Sequence, residues 1–153
     1  MTSGNKIHRK ARDYRWEDVD ELPYKEDDRA LFKSVTRQVL FADPQMQAEL
    51  RYFEVAPGGF SSLERHRHLQ AVLILRGRGH CLVGDEVRAI DTRDLITVPP
   101  MTWHQFRASK SEPLGFLCMV DATRDKPQLP SAQDLAKLKA DAKIAAFLRG
   151  ELR

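Results

Sequence analysis

Gly58-Gly59-Phe60-Ser61-Ser62-Leu63-Glu64-Arg65-His66-Arg67-His68-Leu69-Gln70 is the most unusual stretch of the chain. Glu64, His66, His68 and Gln70 recur at a spacing of two. In an extended backbone such residues project from one strand face. A face turned to a protein core normally carries aliphatic side chains, and four polar groups there are costly to bury unless something satisfies them. A divalent transition metal does so, because imidazole nitrogen and carboxylate or amide oxygen are ordinary ligands. Arg65, Arg67 and Leu69 face the other way by the same alternation.

The segments around this stretch read as short strands. Val35–Phe41 is rich in β-branched and aromatic residues and is closed by Asp43-Pro44; Glu49–Val55 alternates in the same way. Pro57-Gly58-Gly59 predicts a turn. Ala71–Leu75 reads as a buried strand, followed by a turn at Arg76–Gly79. Strands over His80–Val83 and Val87–Ile90 flank a hairpin tip at Gly84–Glu86. Leu95–Val98, Trp103–Arg107 and Leu114–Val120 complete eight to ten strands. Such close spacing predicts an all-β sandwich or barrel, and the lack of βαβ alternation excludes a Rossmann or TIM architecture.

Residues 1–30 are polar, with Trp16, Leu22 and Tyr24 as isolated apolar anchors. They predict an N-terminal arm that lies along the domain or docks on a second subunit. Residues 31–122 form the predicted barrel and 123–153 a linker and a single C-terminal α-helix. Ser131 is its N-cap and Asp134 its capping partner, and Leu135, Leu138, Ala142, Ala145 and Leu148 fall at helical spacing up to Gly150.

The chain has 153 residues, 42% of them hydrophobic and 31% charged. That supports one folded domain and excludes a wholly disordered chain. The net charge of +3 is local. Residues 1–12 carry four bases and no acid, while residues 13–30 carry eight acids against three bases. A short basic arm beside an acidic stretch is a solvated segment rather than a nucleic-acid face. The longest aliphatic run, Ala71–Leu75, is far too short to cross a membrane. The N-terminal residues show no secretory h-region, so a cytoplasmic location is expected. Cys81 and Cys118 belong to no CxxC pair and are expected to be reduced and half-buried. No GxSxG, Walker loop or GxGxxG follows a strand.

Gly58, five residues, Glu64-Arg65-His66, three residues, Gln70, six residues and Gly77 keep every interval of the first motif of the cupin family. Arg93, five residues, Pro99-Pro100-Met101, two residues and His104 keep the spacing of the second. Residues 35–120 therefore resemble a cupin, although Glu64 and Gln70 stand where the family has histidine and glutamate. Arg93 and Met101 stand at its glycines, and Ala108 replaces its closing asparagine. The resemblance implies a small jelly-roll β-barrel with one divalent metal ion (Mn, Fe, Zn, Ni or Cu) at its mouth. Carried over by position, the ligands are Glu64, His66, Gln70 and His104. His68 is the alternative to Glu64, in which case Glu64 is free to act as a base; the motif spacing favours Glu64 as the ligand, with His68 in the turn just after it. Metal-free members of the family exist, so a polar turn without a metal stays open.

Two further readings concern the pocket wall. Phe106 shares a face with His104, and Phe53 is a second candidate wall residue. Trp103 points away, toward the barrel exterior. Arg51 and Arg107 can hold a substrate carboxylate if they reach the pocket, although outward strand charges are the simpler reading. His8 and His80 lie outside the motifs. The expected function is metal-dependent chemistry on a small molecule with adjacent oxygens, with Glu64 as proton acceptor. Oxygenase, lyase, isomerase and decarboxylase are not distinguished, since one fold hosts many chemistries. The alternatives are a non-catalytic module that senses a metabolite or metal, and an assembly protein. The aromatic arm favours a homodimer; neither nucleic acid nor membrane is an expected partner.

Overall fold

A computed structural model describes residues 6–24 and 33–152 of the chain. Among the described residues the strands are β1 (Ala11–Arg12), β2 (Arg15–Trp16), β3 (Leu22–Pro23), β4 (Lys33–Phe41), β5 (Ala48–Phe60), β6 (Gln70–Arg76), β7 (Arg78–Val83), β8 (Glu86–Asp91), β9 (Leu95–Val98), β10 (His104–Ala108) and β11 (Leu114–Asp121). Two helices follow, α1 (Ala132–Lys139) and α2 (Ala142–Leu148). β1 and β2 make a small ribbon. The other nine strands form one antiparallel sheet with the path β8-β7-β10-β5-β11-β6-β9, and β4 and β3 are added beside β5. The architecture is the expected all-β barrel, a sheet curled around its own apolar face. Val55, Val72, Ile74, Phe106, Phe116 and Cys118 are central to the enclosed core.

β5 organises the molecule. Its residues 48–55 pair with β11, and Phe60 pairs with Arg107 of β10. Pro57-Gly58-Gly59 is therefore not a turn, as the sequence suggested, but part of a 13-residue strand. Gly58 takes a left-handed φ of 72° between these two pairings, where glycine is tolerated at little steric cost. Arg51, Phe53 and Val55 alternate toward the interior, while Tyr52 points out yet is only 1% exposed. The arm accounts for this. Trp16 and Tyr14 pack on the Tyr52 ring at 5.2 and 6.0 Å. The Gln38 side chain donates to the Tyr14 carbonyl at 2.8 Å and accepts from the Trp16 N–H at 3.3 Å. The arm aromatics thus dock on their own chain.

Four backbone positions tie the motif spacing to geometry. Gly58 and Gly77 have φ of 72°, and Arg93 and Met101 have φ of 78° and 54°. The two non-glycine residues that stand at motif glycines keep the left-handed turn that glycine favours. At Gly77 no side chain fits at all: a Cβ would lie 1.9 Å from the Pro113 carbonyl oxygen.

The C-terminal segment forms two helices instead of one. Ser131 caps α1 with Asp134 in the expected reciprocal arrangement. At Asp141 the chain leaves helical geometry, and its carboxylate accepts from the N–H groups of Lys143 and Ile144, capping α2. α2 buries Ile144 and Phe147 against Leu63, Leu82 and Val87, a second core outside the sheet, with Trp103 at its margin. Arg107 belongs to this assembly. Its Nη2 donates to the Leu148 carbonyl at 2.7 Å, and the guanidinium lies 4.4 Å over Phe60. It clamps the helix and does not line the polar cavity. Cys81 and Cys118 are fully buried rather than half-buried, at 2% and 0% exposure.

Candidate metal centre

The segment from Ser61 to Leu69 is less regular than its alternation suggests. Glu64 and Arg65 make isolated bridges to His104 and Gln128, the chain bends at Arg67 and His68, and regular strand resumes at Gln70. Glu64, His66 and Gln70 remain buried and Leu69 exposed. His68 departs from the pattern. The bend carries it beside His66, with ring centroids 3.6 Å apart and planes 3° from parallel.

Glu64, His66 and His104 bring one ligand atom each to within 4.8 Å of one another, all three being buried. His66 comes from the bend, Glu64 from its bridge to β10, and His104 from the start of β10. The Met101 N–H bonds the His66 carbonyl at 2.7 Å, so the left-handed turn before β10 also holds the backbone of the bend. Among the described residues this is the group of acidic, histidine and cysteine side chains suited to a metal, and His68 is not part of it.

The hydrogen bonds settle which ring nitrogens are free. His66 Nδ1 lies 2.8 Å from the His68 carbonyl and His104 Nδ1 lies 2.9 Å from the Thr102 carbonyl. A carbonyl only accepts, so each Nδ1 holds the proton and each Nε2 presents a lone pair. Burial pushes the His104 imidazole down to about 4, so it is neutral near pH 7 as a ligand must be. The Ser62 hydroxyl donates to Glu64 Oε2 at 2.8 Å and fixes that carboxylate. Gln70, on the wall of the cavity that these side chains line, donates from its amide nitrogen to Cys118 Sγ at 2.8 Å. A donor set of two imidazoles and a carboxylate fits a divalent transition ion.

These residues line a cavity of about 380 Å³, together with Phe53, Phe106, Phe116, Arg37, Arg51, Arg124 and Asp125. That is at the small end of ligand pockets. Phe53 and Phe106 thus stand in the wall, and Arg51 does not point outward but is buried in the cavity at 9% exposure. A larger cavity of about 800 Å³ lies at Arg107, His80 and Phe147, away from the metal-ligand group. The sequence reading missed Ser62, Asp125 and Arg37. Asp125 Oδ1 lies 2.9 Å from His68 Nδ1, and its two oxygens accept the Arg67 N–H. These bonds hold its carboxyl well below the usual range. Burial lowers the affinity of His68 for a proton. Asp125 sits in what reads as a linker, and nothing local in the sequence marks it.

No helix among the described residues is long and apolar enough to cross a membrane. A Cupin domain family model matches residues 51–120. A protein from Rhodospirillum rubrum named 1-methylthio-D-xylulose 5-phosphate methylsulfurylase is 61% identical over 137 residues, 90% of this chain and 88% of that protein. The crystal structure of a cupin 2 conserved barrel domain protein from Rhodopseudomonas palustris superposes with a TM-score of 0.88 at 53% identity, covering 92% of this chain and 97% of that one. A cupin-2 domain structure from Rhodospirillum rubrum gives 0.87 at 57% identity, covering 95% and 97%. With a family model over residues 51–120 and cupin barrel relatives at 53% and 57% identity over more than nine-tenths of its length, the chain belongs to the cupin family.

Proposed function

We propose that this protein is a metal-dependent enzyme acting on 1-methylthio-D-xylulose 5-phosphate or a close methylthio phosphosugar. The observation that carries the reading is the buried Glu64–His66–His104 group in a chain 61% identical to the Rhodospirillum rubrum protein of that name. The sugar is a ketose, so its carbonyl and neighbouring hydroxyl supply the adjacent oxygens that such a centre suits.

Glu64, His66 and His104, with the Gln70 oxygen, would hold one divalent ion, which supplies Lewis-acid polarisation of a substrate oxygen. The remaining roles fall to side chains of the cavity. Phe53, Phe106 and Phe116 keep water from the reacting carbons. Glu64, steadied by Ser62, is the candidate proton acceptor. His68 is a second proton carrier, because Asp125 holds its Nδ1–H and leaves Nε2 as a base.

The test measures metal content and consumption of 1-methylthio-D-xylulose 5-phosphate for wild type and for His66→Ala/His104→Ala. Wild type is expected to hold near one ion per chain and to consume the sugar, and the double variant to do neither while keeping its far-UV spectrum. A fully loaded wild-type protein that leaves the sugar intact with each of Mn, Fe, Zn, Ni and Cu overturns the enzyme reading. The cavity would then be that of a binding module.

A further inference from the structure

Among the described residues, two arginines of the cavity have no anion paired with them. Arg51 is 9% exposed, and its one side-chain acceptor among those residues is the weak Cys118 Sγ, 3.7 Å from Nη2. Its Nε is buried without a hydrogen-bond partner, and so is the Nε of Arg37. A guanidinium carries five donors and no acceptor, and it does not shed its proton. Burying one without a carboxylate is expensive, and native proteins seldom leave such donors unmet. Arg124, on the same cavity, contrasts with them: it pairs with Glu49 at 2.8 Å. The two acids of the cavity are engaged elsewhere. Glu64 accepts from Ser62, and Asp125 from His68 and the Arg67 N–H.

The fold places the two cations side by side. Arg37 lies opposite Phe53 and Val39 opposite Arg51 in the β4–β5 ladder, so Arg37 and Arg51 are diagonal neighbours on the inner face. Such neighbours are about 7–8 Å apart between Cα atoms, a span one tetrahedral anion bridges with long side chains. Aromatic rings orient both. The Arg51 guanidinium lies 4.9 Å over Phe53, Tyr24 packs edge-on against Phe53 at 5.1 Å, and the Arg37 guanidinium is 6.0 Å from the Tyr24 ring.

We infer that Arg37 and Arg51 form a subsite for a phosphate monoester on the β4–β5 wall of the metal-ligand cavity. A single carboxylate answers one of these charges, whereas a phosphate monoester near pH 7 carries roughly −1.5 to −2 and three acceptor oxygens. That its bearer is the 5-phosphate of the methylthio sugar rests on the function proposed above; the anion subsite itself does not.

The experiment titrates inorganic phosphate into metal-loaded wild type, Arg37→Gln, Arg51→Gln and Arg51→Lys, following heat and the phosphorus NMR line. Turnover of the sugar is measured in parallel with phosphate as inhibitor. Each glutamine variant is expected to weaken phosphate binding, and to raise KM for the sugar more than it lowers kcat, by about 10-fold or more, as loss of a charge-assisted bond implies. Arg51→Lys should recover part of the loss, with metal content unchanged throughout. Folded, metal-loaded Arg37→Gln and Arg51→Gln proteins that bind phosphate as wild type does, an adventitious ion only, overturn the subsite. Arginine-dependent phosphate binding without turnover of the sugar leaves the subsite standing and overturns the substrate.

Discussion

Replacing Arg93 and Met101 by glycine should make the protein more stable. Both residues hold left-handed backbone, at φ of 78° and 54°, and both side chains are exposed. Their backbone N–H groups bond the carbonyls of Ile74 and His66 at 2.7 Å each, contacts that glycine keeps. The left-handed region costs a residue with a Cβ roughly 1–2 kcal/mol, and the greater freedom of glycine in the unfolded chain offsets about 0.5–1 kcal/mol of that. The net gain is about 0.5–1 kcal/mol per site. For a chain of this size the double variant should melt roughly 2–6 °C higher. The assay is thermal unfolding by circular dichroism on metal-stripped protein, so that ligand linkage does not enter. Gly77→Ala serves as the opposite case. It has the same backbone sign, but its Cβ would meet the Pro113 carbonyl oxygen at 1.9 Å, so melting should drop sharply. A double glycine variant that melts at or below wild type would refute the claim that these turns carry a steric cost, and with it the physical basis for aligning them with motif glycines.

Three other outcomes follow from the geometry. Metal-stripped protein should lose stability as pH falls from about 6.5 to about 4, because the folded state keeps His104 neutral while the unfolded chain takes up the proton; the change is on the order of 3 kcal/mol, and a flat urea midpoint across that window would contradict it. Cys81 and Cys118 should resist a thiol reagent such as Ellman's at pH 8 until the protein unfolds, since both are buried and burial raises the Cys81 thiol to about 11; prompt reaction of one equivalent in the native state would count against this. Gln38→Leu should cost about 1–3 kcal/mol by leaving the Trp16 N–H and the Tyr14 carbonyl without their partner, and unchanged stability would mean that the arm is not held there.

The sequence made the barrel legible because strand alternation and turn chemistry are local signals. The motif intervals placed Glu64, His66 and His104 in one group, even though the ligand identities depart from the family. What escaped depends on pairing across the sheet. Whether Arg51 points in or out is set by the register of β5 between β4 and β11, and no local pattern fixes that. Arg37 joins it only through the same ladder. Asp125 reaches His68 from 57 positions away. The bend that stacks His68 on His66 arises where regular pairing lapses between Arg65 and Gln70; the motif spacing, which puts His68 in a turn, read this better than simple alternation. The break at Asp141 was within reach, since an aspartate two residues ahead of a new apolar run is an N-cap signal; the continuous leucine and alanine spacing outweighed it.

Arg37 and Gln38 are consecutive on β4, one facing the cavity and the other holding the arm. The exterior of the barrel is thereby joined to its interior. On the anion subsite proposed above, phosphate that fixes Arg37 should stiffen the strand at Gln38, and the Trp16 amide bonded to Gln38 should exchange its hydrogen for solvent deuterium more slowly. Filling of the cavity can then be followed from a peptide that never touches it.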